Sequence, residues 1–164
     1  MFGALRMLSA EADAVLSGIA TRCAPTHRLS SLFELRRVLD EQPANSCSTL
    51  DLIGHSTRGH NYLRIGSTPL DLLDPIISRL FRVIATSGNL RRIGIETVRL
   101  LGCETAVTIA GQRTMALLSH ILRVRVVGTR AALLKSHYDG VEFDPRFGHL
   151  LVEAGELERP FRRL

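Results

Sequence analysis

Two turns in this chain bring together residue types that could do covalent chemistry. In 51–60, DLIGHSTRGH, an apolar run ends in Gly54-His55-Ser56, and in 98–106, VRLLGCETA, another ends in Gly102-Cys103. A cysteine attacks a carbonyl as its thiolate, and a neighbouring imidazole is the usual way to make one at neutral pH. His55 and Cys103 are far enough apart for one strand, a crossover and a second strand. If those strands are neighbours in a parallel sheet, imidazole and thiol emerge at the same edge, where ligands of such sheets bind.

Ser56 invites a competing reading as the nucleophile of a strand-turn-helix elbow. That elbow needs G-x-S-x-G, with the second glycine letting the helix pass close to the strand. Here Arg58 takes that place and Gly59 comes one residue late, while Gly66 and Pro69 oppose a helix. Asp144 and His149 could complete a triad by type alone. A metal centre of His55, His60 and Cys103 is a second competitor. His-x4-His is not a recognised ligand spacing and a fourth ligand is missing, so no metal is expected. His60 reads as loop surface or as an alternative base. His120 sits near a helix C-terminus, where a cation is favoured without any catalytic role.

The elements that must position these residues can be read from periodicity. Residues 3–10 form a first strand, 11–23 a helix, and 26–31 a weak edge strand. In 31–42, SLFELRRVLDEQ, Ser31 and Glu34 form a capping pair ahead of a helix. Residues 48–55 make a buried strand, 56–69 a polar excursion with a short hairpin around YLRIG, and 70–88 a helix with Pro75 in its first turn and Gly88 at its end. Strand 95–103, helix 108–122 and strand 124–129 follow. KSHYDGVEFD (135–144) reads as a hairpin and HLLVEAGE (149–156) as a last strand. Alternation of strand and helix predicts an α/β fold, a three-layer α/β/α sandwich with a mainly parallel sheet whose first four strands are parallel.

With the strands in place, DLIGHSTRGHNYLRIG followed by VRLLGCETA resembles the caspase-like cysteine peptidases of clan CD. It looks particularly like bacterial members, the CHAT domains, the self-processing cysteine protease domains of toxins and a caspase-like domain of bacterial surface proteins. In these, one apolar strand runs into Gly-His-Gly and the next ends in Gly-Cys or Ala-Cys. The resemblance spans roughly residues 3–153 and implies a caspase-like fold in which Cys103 is the nucleophile and His55 its partner. It also implies an oxyanion hole from backbone amides near Ser56, Thr57, Gly102 and Cys103, with no cofactor. Two residues depart from the pattern: Ser56 replaces a glycine, and Glu104 sets a carboxylate beside the thiol. Arg130, after strand 124–129, falls where such folds build substrate walls and, with Glu104, is a candidate for substrate binding; an arginine there would favour an acidic side chain. The implied function is a cysteine endopeptidase acting on polypeptides, regulated by a protein partner, a homo-oligomer or a fused sensor. The alternative is a catalytically impaired domain serving as a protein-interaction module.

Composition agrees with one domain over 1–164: 45% of the residues are hydrophobic, enough for a real core. The net charge of +5 comes from scattered arginines, including the pairs Arg91-Arg92 and Arg162-Arg163. Without a basic tract, a nucleic-acid partner rests on charge alone. Cysteines 23, 47 and 103 show no C-x-x-C spacing, which predicts reduced thiols in a cytoplasmic protein. The sequence lacks a signal peptide and an 18-residue apolar run, so neither secretion nor a membrane span is expected.

Overall fold

The computed structural model describes residues 3–23 and 25–157, so the Arg162-Arg163 pair lies outside it. Its centre is a six-stranded sheet of β1 (Gly3–Ser9), β2 (His27–Leu29), β3 (Cys47–Ile53), β6 (Thr97–Leu101), β7 (Arg125–Thr129) and β8 (Leu151–Glu153). The order is β2-β1-β3-β6-β7-β8, with every pair parallel except the last. Two-residue strands β4 (Arg64–Ile65) and β5 (Thr68–Pro69) form a separate antiparallel hairpin in the excursion after β3. The chain is therefore α/β with a mostly parallel central sheet flanked by helices, and the weak second strand does sit at an edge.

Alternation along the strands divides the core. Met7, Leu50, Leu52, Val98, Leu100 and Val126 pack with α2 (Leu35–Glu41), α3 (Pro75–Ser87), α4 (Asn89–Ile93) and α5 (Ile109–Leu122). Leu8, Ile53 and Leu101 pack instead with Leu16 and Ile19 of α1 (Ala14–Arg22) and with Leu133, Tyr138 and Phe143. Helix signals are obeyed locally. Asp74 caps α3 through the Ile76 amide, Pro75 opens it, and Gly88 closes it at φ 76°.

Several boundaries differ from the sequence expectation. The helix expected over 11–23 begins only at Ala14, because Asp13 is its cap. The helix expected from Ser31 opens as a 3-10 turn, Leu32–Glu34. The hairpin expected in 135–144 is reduced to one bridge, Tyr138 to Phe143, preceded by a 3-10 turn at Lys135–His137. Strand β8 is only three residues long and passes directly into α6 (Ala154–Leu157). Helix α4 was not foreseen; it is one short turn between Gly88 and Gly94, both left-handed. Among the described residues, no helix is long and apolar enough to cross a membrane.

One register of the sheet is charged. Arg6, Asp51 and Arg99 are aligned partners on β1, β3 and β6. Asp51 is fully buried and accepts two hydrogen bonds from Arg99, Nε to Oδ1 and Nη2 to Oδ2, both 2.7 Å. The Arg99 guanidinium also lies 5.8 Å over the Phe143 ring. Arg6 is buried beside them, its Nε without a hydrogen-bond partner. Burial pushes the nearby Cys23 thiol up to about 11, with Asp51 raising it further against Arg6. A thiol so rarely ionised is a poor nucleophile. Cys23 is therefore expected to stay unmodified when native protein is treated with iodoacetamide at pH 8, and to react fully after denaturation, as read by peptide mass mapping.

Candidate active site

The carboxyl ends of three adjacent strands converge. β1, β3 and β6 are neighbours, and Ile53 and Leu101 are register partners. His55 and Cys103 each stand two residues beyond these partners, so the sheet places them at equivalent points on one edge. Both line the same cleft, together with Gly54 and Gly102. Among the described residues, no hydrogen bond joins the Cys103 Sγ to the His55 ring.

The His55 ring is held from the side of β1. Its Nε2 lies 2.8 Å from Asp13 Oδ2 and 3.9 Å from Glu11 Oε2. Asp13 Oδ1 meanwhile accepts from the Leu16 amide, capping α1. That amide first, and His55 after it, hold Asp13 below the usual carboxylate range. An ionised carboxylate can only accept, so Nε2 carries a ring proton, and in the neutral tautomer this selects the lone pair is on Nδ1. Glu11 is fixed in turn by Arg64, Nη1 to Oε1 at 2.5 Å. Neither Glu11 nor Asp13 was foreseen. The signal was present, since both follow an apolar strand that ends beside β3.

The cap carries a pH dependence. Asp13 has a depressed folded pKa, so its stabilisation is complete above its unfolded pKa of roughly 4 and is lost as pH falls through the folded value. Asp13→Ala should cost about 1 kcal/mol at pH 7. The gap between its urea midpoint and that of the native sequence should narrow below about pH 4.

The turn carrying Cys103 is pinned by two buried hydroxyls, one from β7 and one from the turn itself. Thr129 Oγ1 donates to Gly102 O at 2.5 Å, and Thr105 Oγ1 donates to Leu100 O at 2.8 Å. Each threonine amide also donates to the other's hydroxyl. The Glu104 amide bonds Ala131 O, with Glu104 itself left-handed at φ 55°. Its carboxylate is taken by His60 Nδ1 at 2.5 Å. His60 thus pairs with the carboxylate next to the thiol and is not part of the lining of the cleft that His55 and Cys103 share.

The oxyanion donors named from the sequence separate. Thr57 is corrected: its amide donates to Tyr62 O at 2.7 Å and is not free for a substrate. Ser56 faces Leu63 between that bond and the one from Arg64 N to His55 O. It is therefore in the non-hydrogen-bonded position, its N–H turned away from the partner segment. The Ser56 hydroxyl donates to Cys103 O at 2.6 Å, tying the two turns together. Gly102 contributes by size: a Cβ there would lie 2.6 Å from Leu63 Cδ1 and 3.1 Å from Gly54 O. Gly54 is tighter still, at 2.3 Å from Arg64 O. Because that neighbour is backbone, Gly54→Ala should lower stability by about 1–3 kcal/mol in urea titrations.

Arg130 has no part in the cleft lining. It is exposed, and its amide bonds Leu150 O. The acidic preference expected from it has no support in this geometry. A metal could find ligand atoms on Glu11, Asp13 and His55, which lie within 4.8 Å of one another, rather than on the His55, His60 and Cys103 set. The guanidinium of Arg64 against Glu11 opposes a cation there.

Compared with known proteins, the chain matches no family model and no curated sequence.

Proposed function

We propose that this chain is a cysteine endopeptidase of caspase-like, three-layer architecture, acting on polypeptides without a cofactor. The observation that carries the reading is the shared cleft of Cys103 and His55, with the imidazole Nε2 fixed by Asp13. Cys103 gives its proton to His55 Nδ1 and its sulfur bonds to the scissile carbonyl carbon. The amides of Cys103 and Ser56 stabilise the oxyanion. His55 then protonates the leaving amine as the carbon–nitrogen bond breaks, leaving a thioester. Water, deprotonated by His55, cleaves the thioester to the carboxylic acid and restores the thiol. The chain would work in the cytoplasm, governed by a protein partner, a homo-oligomer or a fused sensor.

A second reading, an impaired protein-interaction module on the same fold, draws on the absence of a Cys103–His55 hydrogen bond and on Glu104 beside the thiol. Labelling with thiol-reactive peptide probes separates the two. Adduct at Cys103, lost in Cys103→Ala and weakened in His55→Ala, supports the peptidase. Equal labelling of all three proteins overturns it.

A further inference from the structure

We infer that Arg6, with the Tyr138 hydroxyl, forms a buried site for one small monovalent anion of the chloride class, on the face of the sheet that α1 covers. The site is independent of the peptidase chemistry. Arg6 is only 6% exposed, yet among the described residues no hydrogen bond or ion pair reaches its guanidinium, and its Nε is sealed from solvent. A buried charge is costly unless it is paired. The acid of its own row is committed elsewhere, because each oxygen of Asp51 is bonded to Arg99. Glu142 is the other carboxylate felt in this layer, and it too acts on Arg99. The charge on Arg6 is left unbalanced.

A second orphan belongs to the same layer. Tyr138 is 1% exposed, and its hydroxyl is likewise sealed and without a partner. The two residues feel one another: burial pushes the Tyr138 hydroxyl far up, with Asp51 and Cys23 adding to this and Arg99 and Arg6 opposing it. Both orphans are donors, since an arginine Nε cannot accept and a neutral phenol carries a proton to give. Two donors, one of them charged, call for a negative ion. Water would accept from both but would leave the Arg6 charge uncompensated. The rest of the layer is Leu8, Ile53, Leu101, Phe143 and Cys23, whose thiol already donates to Ile19 O. That packing suits a single-atom ion over a phosphate or carboxylate, whose several oxygens would need further donors. Entry needs no standing channel. Tyr138 and Phe143 are held by a 3-10 turn and one isolated bridge, and segments with so few backbone bonds open locally. Asp51 and Arg99 stand four residues before His55 and Cys103, so the ion braces the strands that carry both turns.

The test is urea unfolding of the full chain in potassium chloride against potassium gluconate at equal ionic strength, gluconate being too large for the site. An ion that binds only the folded chain should raise the folding equilibrium constant by about tenfold for each tenfold increase in chloride above its dissociation constant. Arg6→Met, which fills the position with an apolar side chain, should remove that dependence, and Tyr138→Phe should weaken it. Bromide in place of chloride should give an anomalous-scattering peak beside Arg6 in crystals of the native chain. A folding constant indifferent to chloride overturns the site and leaves Arg6 to water. A dependence that survives undiminished in Arg6→Met overturns it as well, placing the ion elsewhere. Should Arg6→Met fail to fold, an unweakened dependence in Tyr138→Phe together with no bromide peak at Arg6 overturns it.

Discussion

Asparagine at Asp13 is expected to lower kcat/KM for a cleaved peptide by roughly 10²- to 10⁴-fold while the urea midpoint stays where it was. Asparagine caps a helix as well as aspartate does, so α1 keeps its Leu16 bond. What changes is the partner of His55 Nε2. A carboxylate can only accept, whereas the asparagine amide can donate, and an imidazole accepting at Nε2 carries its proton on Nδ1. A ring in that tautomer cannot take the Cys103 proton. His55→Ala should cost a similar factor, and the double variant no more than the larger single loss, because residues acting as a unit are not additive. Unchanged kcat/KM in Asp13→Asn would reduce Asp13 to a helix cap. Asp13→Ser, which caps without a carboxylate, should behave like asparagine in stability and should also lose rate.

Leucine at Asp51 is expected to destabilise the chain by about 3–5 kcal/mol, a fall in Tm on the order of 10 °C. The carboxylate is fully buried and holds two bonds from Arg99, with Arg6 aligned on its other side. Removing it leaves two guanidinium groups in the interior. The loss should come from the orphaned charges rather than from the missing pair. Asp51→Leu combined with Arg99→Met should therefore be more stable than Asp51→Leu alone, measured by urea unfolding. A double variant no better than the single would place the cost in packing instead.

The alternation of apolar runs made the parallel sheet and its helices legible, and the strand-end rule made His55 and Cys103 legible with them. The same rule points to Glu11 and Asp13, yet they passed as the first turn of a helix because an acidic N-terminus needs no further explanation. Thr57 shows a different limit. Whether an amide is free depends on a pairing with Tyr62 across a loop, which no local pattern encodes. The bond between His60 and Glu104 likewise joins residues 44 positions apart. Both have positive φ without being glycine, a backbone state that residue type does not announce. Arg6, Asp51 and Arg99 were in view as single charges inside three apolar strands. Only the register makes them one row.

That row acts during assembly as well as in the finished sheet. Side chains alternate between faces, so a strand that slips by one residue exchanges everything it shows to each side. For β3, a slip would carry Asp51 among Met7, Leu100 and Val126 and leave both arginines facing Leu50 or Leu52. The misaligned sheet would bury three unpaired charges at once, a penalty that apolar side chains alone do not impose on a shifted strand. Strands β1, β3 and β6 must find one another across long crossovers, where near-miss pairings are abundant. A charge in each strand gives the folding chain a way to reject them.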